Sequence, residues 1–231
     1  MVGLRAWALR DRLATREDSM RNVTALAASF AMLCSAAHAE LAVSVAYLRQ
    51  AVERPPVLSD LDPVPADEGI AGAELAINEL QTTGAFLGQS YALSVTEVPA
   101  SGDLKSALSD VLSRTRLVLL DVPGPAMPAL ADLPGAQGAL MINVSAPDTG
   151  LRQQDCRANL LHSLPSDAMR ADALMQYLTV RRWNRLALLS GRFARDQAWA
   201  EALRQSARKF GLTLREDEPW AFDGNLGRTA Q

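Results

Sequence analysis

The sequence predicts an α/β fold, with an open parallel sheet and helices on both of its faces. Three observations predict it. Short apolar runs that suit buried strands alternate with helical patterns along the chain. Two of these runs, 41–48 and 91–98, flank an alanine-rich helical segment at 69–80, as a strand, a crossover and a parallel strand would. Glycines and prolines separate the segments where the chain has to turn. We therefore expect a sheet built by right-handed crossovers.

The first predicted helix, 69–80, carries one apolar stripe that a sheet can cover. Its members recur at i, i+3, i+4 and i+7 and are Ala73, Ala76, Ile77 and Leu80. Gly72 and the alanines keep this helix slim. Gly84 and Gly88 are predicted to supply the turn before the second strand.

The loop before this helix is long and rich in proline, covering residues 49–68. It follows the carboxyl end of the first strand, where α/β proteins bind ligands, so it is either a binding loop or lid or a rigid surface excursion. After the second strand, Ser101 or Asp103 can cap a helix. The apolar face of that helix consists of Leu104, Leu108, Val111 and Leu112.

The elements that follow are shorter, and an irregular loop at 145–157 interrupts them. They are, in order, a strand at 116–121, a turn at 123–128, a short helix to about residue 133, a strand at 139–144, a strand at 159–163, a helix from Ser166 to about residue 182, a strand at 185–190, a helix at 196–210 ending at Gly211, and a strand at 212–220. The helix after Ser166 has an apolar stripe of Met169, Ala173, Tyr177 and Val180. Trp183, Trp199 and Trp220 are predicted to lie in the core.

The N-terminal part of the chain has the pattern of a secretory signal peptide at 20–39. A short positive start precedes an apolar core at 23–33 and a small-residue end, with cleavage expected after Ala39. The apolar core is too short for a permanent membrane helix, which needs about 20 residues, so we expect export to the periplasm without stable membrane insertion. The alternative to cleavage after Ala39 is a lipoprotein that is lipid-anchored at Cys34. Leu33 disfavours it, because a small residue would be expected before such a cysteine. Residues 1–19 are interpreted as the result of a start codon assigned too far upstream, with Met20 as the true start.

The remaining chain is predicted to form one complete lobe and the start of a second. The predicted divisions are lobe one at 40–158, its last strand and helix with the crossover at 159–184, and an incomplete lobe two at 185–231. Two strands and one helix bury too little apolar surface to offset their ordering entropy, so we expect a C-terminally truncated chain. Cys156 is expected to be a buried thiol or half of a disulfide whose partner lies in another chain.

Charge and motifs argue against several function classes. The chain has a net charge of −3, and five basic and three acidic residues precede Glu40, which leaves −5 for the rest. A nucleic-acid partner would favour a basic surface and is not expected. No nucleophile elbow, zinc-protease or phosphate-loop motif occurs, and His38 and His162 are the two histidines. We therefore expect neither an enzyme nor a metal site, and no catalytic residue or cofactor.

Several segments, in this order and spacing, resemble a known family. They are Val43-Ser-Val-Ala46, Gly72-Ala-Glu-Leu-Ala-Ile-Asn-Glu-Leu80 with Gly84 and Gly88, Gly138-Ala-Leu-Met-Ile-Asn143, Arg185-Leu-Ala-Leu-Leu189 and Trp199-Ala-Glu-Ala-Leu203. They resemble periplasmic solute-binding proteins of type I, the leucine/isoleucine/valine-binding kind, which have Rossmann-like sheets. The segments at 47–56, 82–89 and 161–174 resemble a narrower subgroup, encoded with pyrroloquinoline quinone (PQQ)-dependent alcohol dehydrogenase systems.

The resemblance implies two lobes, a hinge, and a small-molecule ligand in the cleft that is delivered to an ABC transporter permease. It places the pocket on loops at the carboxyl ends of the strands. The candidate ligand-binding residues there are Arg49, Gly124, Ser145, Asp148, His162, Ser163, Phe193 and Arg195. Guanidinium groups bind carboxylates, and PQQ carries three carboxylates, so PQQ is a candidate ligand. It would be bound as the transported ligand and not as a cofactor. The alternatives are solvated arginines, a satisfied strand-end histidine and a phenylalanine packed under a helix.

The functional hypothesis is a periplasmic substrate-binding component of an ABC transporter, linked to PQQ-dependent alcohol catabolism. The alternatives are a periplasmic ligand-sensing subunit for a membrane signalling protein and a branched-chain amino-acid-type binding protein. Against the last, the family's serine-rich turn is replaced by Val122-Pro-Gly124, and the small-residue turn after the fourth strand by Ser145-Ala-Pro-Asp148. These departures put an ordinary α-amino acid in doubt as the ligand.

Overall fold

The computed structural model describes residues 41–52 and 65–219. The predicted upstream start and signal peptide, most of the proline-rich loop and Trp220 lie outside these residues. The elements are β1 (Leu41–Gln50), α1 (Ile70–Leu87), β2 (Gln89–Val98), α2 (Leu104–Leu112), β3 (Leu117–Asp121), α3 (Met127–Ala131), β4 (Leu140–Asn143), β5 (Leu160–His162), α4 (Asp167–Val180), β6 (Arg185–Ser190), α5 (Ala194–Lys209) and β7 (Thr213–Pro219). Short 3₁₀ turns occupy Gly124–Ala126, Pro134–Ala136 and Thr149–Arg152.

The larger sheet has five strands in the order β2-β1-β3-β4-β5. The pairs β1–β3, β3–β4 and β4–β5 are parallel, which confirms the predicted α/β class with a parallel sheet. The register aligns Arg49 with Asp121 in the first of these pairs. It also aligns Leu120 with Asn143, and Asn143 with His162. The polar residues that end these strands therefore lie side by side at one edge of the sheet.

The core of this sheet is built from alternate strand residues and from the helix after β2. Leu48, Val118, Leu120 and Met141 are fully buried in it, together with Leu108 of α2. Asp103 caps α2, since its carboxylate accepts hydrogen bonds from the backbone N–H groups of Lys105 and Ser106. The predicted apolar face of this helix is confirmed, with Leu108, Val111 and Leu112 buried.

The strand order creates a switch point between β1 and β3. From β1 the chain crosses outward to β2, and from β2 it crosses back over β1 to β3. Right-handed crossovers in opposite directions place their helices on opposite faces of the sheet. The loops that leave β1 and β3 therefore diverge, and a crevice opens at the carboxyl ends of these two strands.

The smaller sheet consists of β6 and β7, which pair in parallel. Its core contains Ala171 and Met175 of α4 and Leu203 and Ala207 of α5, with Leu212 before β7. Gly211 has φ +69°, as predicted for the residue that ends this helix. Every described residue from Ala42 onward belongs to one compact unit. The predicted division into lobes stays a prediction.

The helix α1 corrects two expectations. It runs on to Leu87, so Gly84 lies inside the helix, while Gly88 alone ends it with φ +66°. A Cβ at Gly84 would lie 2.8 Å from the carbonyl oxygen of Gln89, which explains why a glycine suits this interior position. The predicted stripe is covered only in part, because Ala73 and Ile77 are half-buried whereas Leu80 is exposed.

The helix α4 and the residues that follow it correct two more expectations. Its predicted apolar stripe is exposed, with Tyr177 at 55% and Val180 at 80%, whereas Ala171 and Met175 form the buried face against α5. Both faces of this helix carry apolar residues, and the packing of α5 decides which one is covered. Trp183 is 54% exposed, so its core assignment is wrong. Trp199 is half-buried against the smaller core.

Among the described residues, no helix is long and apolar enough to cross a membrane.

Candidate functional site

The carboxyl ends of β1 and β3 hold a cluster of three polar side chains. Tyr47 is 2% exposed, and its hydroxyl donates a hydrogen bond of 3.0 Å to Oδ2 of Asp121. The same oxygen lies 3.6 Å from Nε of Arg49. Burial, followed by the neighbouring charge of Asp121, raises the pKa of the Tyr47 hydroxyl above its ordinary range. Tyr47 therefore stays neutral and acts as a fixed hydrogen-bond donor.

Arg49 is held on its other side by the loop before α1. Its Nη1 donates a hydrogen bond of 2.6 Å to the carbonyl oxygen of Ala66. A crevice of about 410 Å³ opens here, lined by Arg49, Asp121 and Glu97 among others. The guanidinium therefore lies at a concave surface that also carries carboxylates.

A second crevice, of about 280 Å³, lies beside the first. Tyr47, Gly69, Asp121 and Ser145 line it together with Glu68. Gly69 has φ +84°, and a Cβ built on it would lie 2.3 Å from the Tyr47 hydroxyl oxygen. A glycine at this position therefore lets α1 begin directly beside the Tyr47–Asp121 pair.

Asn143, the last residue of β4, organises the neighbouring loop from a fully buried position. Its Oδ1 accepts hydrogen bonds from the backbone N–H groups of Ser145 at 3.1 Å and Ala146 at 2.8 Å. Its Nδ2 donates to the carbonyl oxygen of Ala146 at 2.6 Å and lies 3.1 Å from Nδ1 of His162. Its carbonyl oxygen accepts from both the backbone and the hydroxyl of Ser163. One side chain thus joins the ends of β4 and β5.

His162 is partly buried between Asn143 and the 3₁₀ turn at 149–152. Burial is the main cause that lowers the pKa of His162, and the positive charge of Arg152 lowers it further. The Arg152 guanidinium donates to the carbonyl oxygen of Leu164, while its Nη1 is buried without a hydrogen-bond partner. The surroundings therefore favour a neutral His162.

A larger cavity, of about 790 Å³, separates the loops after β3 and β4 from α5. Gly124 and Asp148 meet at its wall, since a Cβ on Gly124 would lie 2.4 Å from the Asp148 carboxyl carbon. Asp167 and Glu201 also line this cavity, so it is markedly acidic. Gly124 leaves the space that the Asp148 carboxylate occupies.

Arg195 and Phe193 lie at the start of α5. The Arg195 guanidinium forms a two-pronged ion pair with Asp167, with Nη2 at 2.7 Å from Oδ1 and Nη1 bonded to Oδ2. Hydrogen bonding to Asp167 is the main cause that raises the pKa of Arg195. Phe193 is 59% exposed and does not pack under its helix, and the Arg192 guanidinium lies 5.5 Å from its ring centre.

The structure thus divides the eight predicted site residues among four places. Arg49 and Ser145 line the paired crevices around Asp121. His162 and Ser163 meet at Asn143. Gly124 and Asp148 border the acidic cavity, and Phe193 and Arg195 lie at the start of α5. Tyr47, Asp121 and Asn143 are not among the eight site residues predicted from the sequence. The position of Asp121 and Asn143 at the ends of predicted strands was the available signal. Among the described residues, no group of three or more metal-ligating side chains is present.

The sequence matches no protein-family model and no curated protein. Solved structures do resemble the fold. An ABC transporter substrate-binding protein from Desulfitobacterium hafniense is 20% identical with a TM-score of 0.55, and the match covers 81% of this chain and 52% of that one. Such a protein from the same organism, in complex with Leu, is 19% identical with a TM-score of 0.56, covering 82% of this chain and 54% of that one. The chain therefore has the α/β fold of these proteins over about half of their length.

Proposed function

We propose that this chain is a periplasmic substrate-binding component of an ABC transporter. The observation that carries the proposal is the Arg49–Asp121 pair at the switch point between β1 and β3, where parallel α/β sheets bind ligands. The fold shared with ABC transporter substrate-binding proteins supports it. The proposed partner is the transporter permease, and a membrane signalling protein in its place would use the same ligand site.

The ligand that we propose is a small organic acid, with PQQ as the first candidate. Arg49 is 15% exposed at its side chain and lines a crevice large enough for a carboxylate group. A guanidinium binds a carboxylate through two parallel hydrogen bonds. The link to PQQ-dependent alcohol catabolism rests on the sequence resemblance at 47–56, 82–89 and 161–174. Ser145, which lines the adjoining crevice with Asp121, is a proposed polar contact, and His162 and Ser163 are proposed contacts further along the same edge of the sheet, at the end of β5.

An amino acid is the second candidate, because the crevices carry charges of both signs. Asp121 and Glu97 lie beside Arg49. A zwitterion would meet an opposite charge for each of its groups, whereas the trianion of PQQ would require Arg49 to leave Asp121 and Arg195 to leave Asp167. One of the similar structures contains leucine, which makes leucine the natural probe for this candidate.

Thermal unfolding and titration calorimetry with PQQ and with leucine test the proposal. A ligand at about 100 times its Kd stabilises the native state by about 2.7 kcal/mol, so the correct ligand should raise Tm by several degrees. Arg49→Met should weaken binding at least about tenfold, as expected for the loss of a charge-assisted hydrogen bond. Arg114→Met is the matched control, since Arg114 is an exposed arginine in the loop before β3, away from the carboxyl edge.

The outcomes separate the candidates. Binding of PQQ that Arg49→Met abolishes supports the first ligand, and binding of leucine with the same dependence supports the second. A cooperatively unfolding protein whose Tm neither ligand moves would contradict the proposed ligands. Equal losses in Arg49→Met and Arg114→Met would show that the Arg49 crevice is not the binding site.

A further inference from the structure

The contact between Asn143 and His162 joins two strand ends through groups whose hydrogen-bonding roles are fixed. Oδ1 of Asn143 accepts from two backbone N–H groups, those of Ser145 and Ala146, so the amide cannot be turned over. The Nδ2 group must therefore be the one that faces Nδ1 of His162 at 3.1 Å. Because Nδ2 carries only donors, Nδ1 of His162 has to be an unprotonated acceptor.

This requirement makes the contact specific for neutral His162. Protonation would place an N–H on Nδ1 against the N–H of Asn143, and two donors repel each other. The charged group that faces the ring from the 149–152 turn is the Arg152 guanidinium, which also disfavours a second positive charge. The ring makes a further hydrogen bond to the backbone of Leu151 in the same turn, and this bond raises the pKa of His162 against the larger effects of burial and Arg152. The ring thus joins β4 to this turn, and its contact with Asn143 is the one that depends on a neutral ring.

The loop between Asn143 and the 149–152 turn connects to other parts of the proposed site. The carbonyl oxygen of Pro147 accepts a hydrogen bond of 2.8 Å from the backbone N–H of Asp167, the first residue of α4. Thr149 Oγ1 accepts one of 3.1 Å from the N–H of Ala168. Asp148, between them, contacts Gly124. A displacement of the loop would therefore reach both the acidic cavity and the start of α4.

We propose that the Asn143–His162 contact is a pH-sensitive latch, in which neutral His162 ties the 149–152 turn to Asn143 at the end of β4 and protonated His162 breaks this tie. Asn143 is the positioning residue, and its buried, fully bonded amide cannot adapt to a charged ring. The ring and the 149–152 turn have to move instead. The inference does not depend on the identity of the ligand or on the proposed transport function.

The pH dependence of stability follows from the direction of the pKa shift. The folded-state pKa of His162 lies below its ordinary value of about 6.5, because burial and Arg152 disfavour the charged ring. The unfolded chain then binds more protons than the folded one between these two values. Stability is fully present above about pH 6.5 and is lost as the pH falls through the folded-state pKa.

Nuclear magnetic resonance of the whole chain between about pH 8 and pH 5 tests the latch. The ring signal of His162 should titrate with a midpoint below about 6.5. The backbone amide signals of Ser145, Ala146 and Ser163 should move with that same midpoint, because all three bond to Asn143. The amide of Leu93 in β2 serves as the internal control and should not follow.

His162→Gln provides the second test, since a glutamine carbonyl can accept from Asn143 but does not titrate. The amide movements of Ser145 and Ala146 should disappear in this variant, and its free energy of unfolding should vary less than that of the wild type between about pH 6.5 and pH 5. A ring midpoint at or above about 6.5, loop amides that ignore it, or amide movements that persist in His162→Gln would each overturn the latch. The wild-type titration decides the matter even if the variant does not fold.

Discussion

The Tyr47 hydroxyl donates a hydrogen bond of 3.0 Å to the Asp121 carboxylate, although the two residues are 74 positions apart in sequence. The bond joins the ends of two neighbouring parallel strands, β1 and β3. Tyr47 is almost completely buried, whereas Asp121 faces the crevices at the sheet edge. This pair fixes the carboxylate that lies beside Arg49. It is the structural centre of the proposed ligand site.

Tyr47→Phe removes the hydroxyl and keeps the ring. Because Asp121 then loses a donor in a partly buried site, we expect a loss of about 1 kcal/mol in the free energy of unfolding, measured by urea denaturation. Tyr177→Phe is the matched control, since Tyr177 is 55% exposed, and it should change stability by less than about 0.5 kcal/mol. Equal effects of the two substitutions would contradict a specific role for the Tyr47–Asp121 bond.

Two glycines near the start of α1 should respond to alanine with opposite signs. Gly69→Ala forces a Cβ to within 2.3 Å of the Tyr47 hydroxyl at φ +84°, so we expect a loss of about 1–3 kcal/mol. Gly72→Ala meets nothing within 4 Å in a helix, so we expect a gain of about 0.5–1 kcal/mol. Thermal denaturation of both variants checks this. A stabilised Gly69→Ala would show that the tight approach of α1 to Tyr47 is absent.

Arg195→Gln should destabilise the contact between α4 and α5. Its ion pair with Asp167 would be lost, and the Asp167 side chain is only 4% exposed. Since Arg195 itself is half exposed, solvent screens the pair, and we expect about 1–2 kcal/mol in urea denaturation rather than the larger cost of a fully buried pair. Arg185→Gln, at an exposed position in β6, should stay within about 0.5 kcal/mol. An Arg195→Gln variant as stable as the wild type would leave this arginine free for a ligand.

Asp172 provides a pH-dependent link between the same two helices. It accepts hydrogen bonds from Lys209 at 2.5 Å and from Ser206 at 2.7 Å. The Lys209 bond first, and the Ser206 bond second, hold the pKa of Asp172 below its ordinary value. The stabilisation is therefore present above about pH 4 and is lost as the pH falls through the folded-state pKa.

The difference in unfolding free energy between wild type and Asp172→Asn should accordingly shrink between about pH 5 and pH 3. Denaturation at these pH values measures it. Asp110→Asn, at an exposed position whose carboxylate has no ion pair among the described residues, is the control for the substitution itself. A constant difference for Asp172→Asn across this range would mean that the Lys209 bond does not hold the carboxylate charged.

The prediction from sequence was most accurate where local chemistry decides the structure. Asp103 caps its helix, Gly88 and Gly211 end theirs with positive φ, and β6 spans 185–190 as expected. In each case a single residue type satisfies a backbone requirement or a short apolar run satisfies a strand. These signals act within a few residues and need no partner from elsewhere in the chain.

The errors arose where a distant element chooses between two local solutions. The α4 helix carries apolar residues on two sides, and the side with Ala171 and Met175 is buried because α5 packs there. Gly84 was predicted to lie in a turn, but it lies within α1, close to Tyr91 of the following strand. Periodicity identifies an apolar face, yet it does not say which neighbour covers it.

The candidate site shows the same difference between what local pattern predicts and what distant contacts decide. The sequence placed Arg49, Ser145 and His162 at strand ends, because strand boundaries follow from local pattern. It did not pair Arg49 with Asp121, Arg195 with Asp167 or His162 with Asn143, since each pair joins residues far apart in the chain. Those pairings decide which charges are free and which are already neutralised.

By itself, then, the sequence determined an α/β chain with a parallel sheet, and it predicted candidate ligand residues in the loops at the carboxyl ends of the strands. Only the tertiary structure decided that Tyr47 and Asp121 fix Arg49, and that Asn143 requires a neutral His162. The physical reason is that secondary structure depends on contacts over a few residues, whereas charge pairing and burial depend on the strand order, which brings distant segments into register.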